Sequence, residues 1–184
     1  MPPPLFAEET KHVTLMIAGA SRASARLRIT AVAASLANRL DGCRTLSVSA
    51  AAGVAEYLNV AQLAVNEIAT RWDALSRTGA GGWPPLLVVL PLLDNIACEA
   101  DDTTRALLST LTVEQFENAS EVDVYFVLGA LLEERAEPAF VPSAGKGLIT
   151  ALLGVGDDAA MAEAIADALR GEAWEPPDSH EALT

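Results

Sequence analysis

Apolar and polar positions alternate along this chain in blocks of two periods. Val13–Ala18 (VTLMIA) is apolar with little alternation, the pattern of a strand buried on both faces of a parallel sheet. Ile29, Val32 or Ala33, Leu36 and Leu40 then recur at helical spacing, and Asp41-Gly42 closes that helix with turn chemistry. Arg44–Ser49 alternates as a second strand. Val54–Leu75 is the longest periodic segment. Its apolar residues, among them Val54, Ala61, Val65, Ile68 and Leu75, fall at steps of three and four and predict a long amphipathic helix. The loop Ser76–Gly82 ends it. Leu86–Leu93 (LLVVLPLL) is the central-strand candidate, and Pro91, with no N–H to donate, should stop regular pairing near Leu90.

Glu99–Asp102 reads as an acidic loop, with Asp102 or Thr103 capping a helix that carries Leu107, Leu108 and Leu111. Val122–Leu128 is another strand, and Glu133–Pro142 is a charged, Pro-bounded loop. Ser143–Leu153 is expected to contain a short helix and Gly154–Asp158 a turn. Ala159–Arg170 forms the last helix, capped by Asp158 and stopped by Gly171. Strands alternating with helices predict a three-layer α/β domain, a mostly parallel sheet with helices on both faces. Residues 13–171 form that domain, after a Pro-rich lead-in (1–12) and before an acidic tail (172–184). Right-handed crossovers bring the turn after Ala18 and the end of the Leu86 strand to the same carboxyl edge, where open α/β sheets bind ligands.

Composition narrows the classes. With 184 residues, 51% of them apolar, the chain can bury one real core. No apolar run reaches about 18 residues, so no membrane span is expected. Cys43 and Cys98 fit no metal spacing and read as ordinary thiols in a reducing compartment, so the protein is expected inside the cell, cytoplasmic or nuclear. The net charge of −13 is uneven: residues 1–77 hold 8 of the 12 basic and 6 of the 25 acidic residues. The acidic second half argues against nucleic-acid binding through that surface; it reads as a solubilising charge or as a surface for a basic protein partner.

The candidate chemistry begins at the first turn. A phosphate-binding loop places Gly, four residues, then Gly-Lys-Ser/Thr between strand and helix, where backbone N–H groups meet anionic oxygens. Laid on Gly19, that pattern puts Ser24 at the second Gly, Ala25 at the Lys and Arg26 at the Ser/Thr. Gly19–Ser24 is read as the turn. Ala25 brings no charge, and Arg26 cannot hold a magnesium ion. Arg22, Arg26 and Arg28 crowd a helix start where positive charge opposes the dipole, an arrangement that an anion or acidic partner would offset. Gly19, Ser21, Arg22, Ser24, Arg26 and Arg28 are therefore the candidate degenerate phosphate loop or partner-binding turn. On the central strand, Leu90 and Pro91 stand where catalytic carboxylates are expected. Asp94 and Asn95 follow as strand-end polar residues, read as a turn or cap. Ala144-Gly145-Lys146-Gly147 lacks a following Ser/Thr and has Phe140 in place of the leading Gly. His12 and His180 lie outside the carboxyl edge, which leaves a histidine-based triad unsupported. No metal or resident cofactor is expected; ATP or GTP is the one ligand such a frame would take.

Two resemblances follow from these segments. Glu67-Ile68-Ala69-Thr70-Arg71-Trp72 resembles the Glu-Met-x-x-Arg-Tyr helix of FtsK-type translocases and type VII secretion ATPases. Leu152-Leu153-Gly154-Val155-Gly156-Asp157 is similar to their late Leu-Leu-Gly-x-Gly-Asp turn. The length, the Gly19 turn and the run from Leu86 through Phe116 to Val124–Ala130 resemble the centromere protein M family, pseudo-GTPases of the kinetochore. Both imply a P-loop NTPase-like or small-GTPase-like scaffold. The implied function is a non-catalytic protein-interaction subunit of a multi-subunit assembly, kinetochore-like or translocase-like. The alternative is a nucleotide-binding ATPase subunit of a DNA- or protein-translocating machine with atypical motifs.

Overall fold

The computed structural model describes residues 12–18, 20–132, 148–153 and 158–170. Among them, β1 (His12–Ala18), β2 (Arg44–Ser47), β3 (Leu86–Leu90), β4 (Val124–Leu132) and β5 (Leu148–Leu153) form one sheet in the order β2-β3-β4-β1-β5. Every pairing is parallel. Leu15 of β1 lies beside Gly129 of β4 on one side and Ala151 of β5 on the other. β3 stops at Leu90, where Pro91 ends its ladder.

The helices are α1 (Arg22–Asn38), α2 (Val54–Thr78), α3 (Leu93–Glu99), α4 (Asp102–Leu111), α5 (Phe116–Ser120) and α6 (Asp158–Leu169), with a single 3-10 turn at Val113–Gln115. The chain runs from β1 to the far edge at β2, then back through β3 to β4. Right-handed crossovers in opposite directions place α1 and α2 on opposite faces. Strand residues divide accordingly. Val13, Leu15, Leu87, Val89 and Val127 pack under α1 and α6. Leu86, Val88, Leu90, Phe126 and Leu128 pack under α2 to α5. The three-layer expectation therefore stands.

The structure differs from the sequence reading in several elements: α2 runs on through Ser76–Thr78 of the expected loop, and α6 begins at Asp158, expected as its cap. Leu148–Leu153 is a strand paired to β1, where a short helix was expected. A six-residue apolar run has no decisive period, and the open edge of β1 supplies a partner that the local sequence does not announce. Residues 143–147 and 154–157, which include the glycine-rich lookalike and most of the late turn, lie outside the described residues. Leu93–Glu99 is helical, so Glu99 belongs to α3 and not to an acidic loop. The cap of α4 is Asp101, whose carboxylate accepts from the Thr104 amide at 2.8 Å, in place of Asp102 or Thr103.

His12 opens β1 at the amino edge of the sheet. Its ring is buried and stacked on Phe116 with centroids 3.7 Å apart. Neither ring nitrogen meets a hydrogen-bond partner among the described residues. Burial alone lowers its pKa to about 4. The unfolded chain binds the proton first as pH falls through about 6.5, so stability present above that pH is lost toward pH 4. We expect about 2 kcal/mol of this contribution to be gone by pH 5. In urea titrations, His12→Phe should keep the stack and flatten the acid limb by that amount. An unchanged limb would mean the ring is solvated in solution.

Candidate functional site

The carboxyl edge gathers the ends of β1, β3 and β4. β1 exits toward α1 and β3 exits toward α3, on opposite faces, with β4 between them. This divergence marks where an open α/β sheet normally forms its ligand crevice.

α1 begins earlier than a phosphate loop allows. Ser21 is its N-cap, and its hydroxyl accepts from the Ser24 amide at 3.2 Å. The connection from β1 is therefore three residues, Gly19 to Ser21, and Gly19 itself lies outside the described residues. Gly19–Ser24 was read as the turn; Arg22 to Ser24 are instead helical. The missed signal is the cap, a Ser three residues ahead of the amide that it binds. Ala25, in the position of the phosphate-loop Lys, is buried among the α1-side core. Ser24 and Arg26, aligned with Gly and Ser/Thr, are the third and fifth residues of the helix.

The arginines are engaged with the protein itself. Arg22 pairs with Glu99 at the end of α3. That hydrogen bond holds the Glu99 carboxyl below the usual carboxylate range. Arg26 donates to the Ala50 carbonyl in the loop after β2. Arg28 is half-buried farther along the helix. The turn is thus joined to α3 and to the β2 exit.

On the β3 side, Leu90, Pro91 and Leu92 are all buried, and Leu92 adopts a left-handed backbone at φ 60. The buried Tyr57 hydroxyl donates to the Pro91 carbonyl, and burial pushes its pKa up to about 12. Asp94 and Asn95 are buried in the first turn of α3. Asn95 does more than terminate a turn. β4 continues past the end of β3, which leaves its Leu131 amide and carbonyl without a strand partner on that side. The Asn95 oxygen accepts from the Leu131 amide at 2.9 Å, and its nitrogen donates to the Leu131 carbonyl at 3.2 Å. One side chain thereby substitutes for the next residue of the ladder. Asn95→Asp keeps the shape but replaces the donor with a charge facing a carbonyl. It should cost about 1–3 kcal/mol by thermal denaturation near neutral pH. A loss below a few tenths of that range would rule out the ladder role.

The space against β4 is filled by protein. A Cβ on Gly129 would lie 2.4 Å from Ile29 Cδ1, 3.0 Å from the Leu92 amide nitrogen and 3.3 Å from Pro91 Cα. The β3 exit therefore passes directly between α1 and β4. Among the described residues, no group of three or more His, Cys, Asp or Glu side chains is placed to hold a metal. No helix among them is long and apolar enough to cross a membrane.

The Glu67 to Arg71 motif lies at the opposite, amino edge. Arg71 is 2% exposed and donates to Glu67 at 2.9 Å and to the Val122 carbonyl at 2.9 Å. Its role is to join α2 to the turn before β4. Compared with protein-family models, with curated proteins and with solved structures, the chain matches none of them.

Proposed function

We propose that this chain is a non-catalytic, NTPase-like domain that works as a protein-binding subunit of a larger assembly. The observation that carries the reading is Ala25, buried in the first turn of a helix that begins at Arg22. The position that needs a mobile cation for phosphates is occupied by a methyl group in the core, behind a connection too short to wrap a phosphate chain. The β3 end supports the same reading, because Leu90, Pro91 and Leu92 fill the place where a carboxylate would hold magnesium.

The experiment is calorimetric titration of the full chain with ATP and GTP in the presence of magnesium. No saturable heat is expected; micromolar, magnesium-dependent binding would overturn the non-catalytic reading. Ala25→Lys with Arg26→Thr should create no ATPase turnover, because the β3 end stays apolar. Turnover in that variant would show a competent site. The assembly half is tested by sizing the protein in extract of its native host, where elution as a free monomer would refute it.

The second reading, a nucleotide-binding ATPase subunit of a translocating machine, is favoured by strand order. β4 lies between β1 and β3, so the β1 and β3 exits diverge to opposite faces at the carboxyl edge, the place where an open α/β sheet takes a ligand. The order differs from the dinucleotide-binding one, in which β1 neighbours β2. The same titration separates this reading from the first.

A further inference from the structure

We propose that Val113–Glu121 is an acid-released latch: protonation of His12 drives its ring off Phe116 and frees this segment from the sheet while the rest of the domain stays folded. The latch goes beyond the protein-binding reading and does not depend on whether a nucleotide binds.

The segment is short and lies between two fixed posts. On its amino side stands Thr112, fully buried, with its hydroxyl donating to the Leu108 carbonyl at 2.7 Å. On its carboxyl side the Val122 and Asp123 carbonyls accept from Arg71, and the Asp123 carboxylate accepts from the Tyr125 hydroxyl at 3.0 Å. Between these posts the chain forms the 3-10 turn and the five-residue α5. Phe116 and Ala119 are its buried side chains among those described. From α2, Trp72 Nε1 donates to the Asn118 carbonyl at 2.9 Å. An element held by so few buried side chains lies at the low-stability end of a fold.

Phe116 is the larger of the two anchors, and it rests on His12. The rings stack with 3.7 Å between centroids and 20° between planes, and Phe116 also meets the Phe126 ring of β4 at 5.4 Å. His12 is 4% exposed, and neither ring nitrogen has a hydrogen-bond partner among the described residues. A neutral imidazole bears these surroundings at modest cost. An imidazolium has a full charge and two N–H donors to satisfy, and bears them at far greater cost.

The elements around the ring offer no compensating charge among the described residues. β4 and β5, which flank β1, carry no acidic or basic residue. Tyr125, the titratable residue of β4, packs on the opposite face of the sheet with Val13 and Val127. The carboxylates of the segment itself are Glu114, Glu117 and Glu121, of which Glu114 and Glu121 are exposed. Lys11, next to His12 in the sequence, is a like charge. Burial alone sets the shift of the imidazole, to about 4. Opening therefore takes up one proton from solvent, held by the released imidazole. As pH falls from about 6.5 toward 4, the opening equilibrium should rise about tenfold per pH unit, about thirtyfold by pH 5.

The test is hydrogen exchange of the full chain at about pH 7.5, 6 and 5, read by mass spectrometry of peptic fragments and corrected for the intrinsic rate. In the wild type, protection over residues 113–121 should fall about thirtyfold between about pH 7.5 and pH 5, while the fragments of β3 and β4 keep theirs. His12→Phe keeps an aromatic stack without a titrating group, and should hold the segment closed at the acid end. His12→Leu serves the same purpose if circular dichroism shows the phenylalanine variant unfolded. Three results overturn the proposal. In the wild type these are a segment that stays protected at the acid end, or a segment and strands that lose protection together. The third is a fall of equal size in the uncharged variant, which would assign the opening to the carboxylates.

Discussion

Arg71→Leu should destabilise the protein by about 1–3 kcal/mol, the cost of leaving a buried acceptor without its donor. The guanidinium is nearly inaccessible, and it holds three pieces of chain at the amino edge of the sheet. It donates to Glu67 one turn back on α2, and to the carbonyls of Val122 (2.9 Å) and Asp123 (3.2 Å) in the turn before β4. It also lies 5.9 Å from the centroid of the Trp83 ring, in the segment that leads into β3. Glu67 in turn accepts from Arg44 at the start of β2, at 2.9 Å. Leucine leaves the buried Val122 carbonyl without this donor, whereas the Asp123 carbonyl keeps the Leu86 amide at 2.9 Å and Glu67, one-third exposed, keeps Arg44 and water. The cost therefore falls mainly on the β4 turn. Arg71→Lys should recover less than half of it, because an ammonium cannot span Glu67 and Val122 with the fork of a guanidinium. Denaturant titrations of both variants, with Glu67→Gln to close a double-mutant cycle, measure these terms. A loss under about 1 kcal/mol for Arg71→Leu would place the side chain in solvent.

The same residue shows how much of the fold was legible in the sequence. Glu67 and Arg71 stand four apart on a strongly periodic helix, so their pairing is readable from spacing alone. That the pair lies at the amino edge, remote from any phosphate site, is not readable, because it depends on Val122 and Asp123 more than fifty residues away. The strand–turn–helix opening, the end of β3 at Pro91 and the parallel sheet followed from local chemistry. β5 and α3 did not. β5 exists because β1 has an open edge, and α3 because the chain turns back through a left-handed Leu92 that no sequence rule favours. At the candidate site, the absence of Lys and Ser/Thr from the phosphate-loop positions was plain from Ala25 and Arg26. The short connection depended on recognising Ser21 as a cap. The Asn95 ladder depended on β4 outrunning β3, a matter of register rather than of motif.

Gly129→Val should cost about 3 kcal/mol or slightly more, and Gly129→Ala about 1–2 kcal/mol, as overpacking against two different neighbours. The nearest obstacle to a Cβ, Ile29 Cδ1 at 2.4 Å, is the free end of a side chain and can rotate away. The second, the Leu92 amide nitrogen at 3.0 Å, is backbone and cannot. Leu92 is fixed from both sides, by the Tyr57 hydroxyl on the Pro91 carbonyl and by Asn95 on Leu131. It already carries a left-handed conformation worth about 1–2 kcal/mol of strain. Ile29→Val removes the nearer obstacle only. Combined with Gly129→Ala it should restore part of the lost stability, and combined with Gly129→Val almost none, because the valine branches still meet the Leu92 backbone. Thermal denaturation of the five variants, the three singles and the two pairs, separates the two obstacles. Equal rescue in both pairs would mean that the β3 exit yields as readily as a side chain. In that case the carboxyl edge between β1 and β4 can open, and the space now filled by Pro91 and Leu92 becomes available to a ligand. Rescue of the alanine variant alone would show an edge closed by backbone, as expected of a scaffold that binds other proteins and not nucleotides.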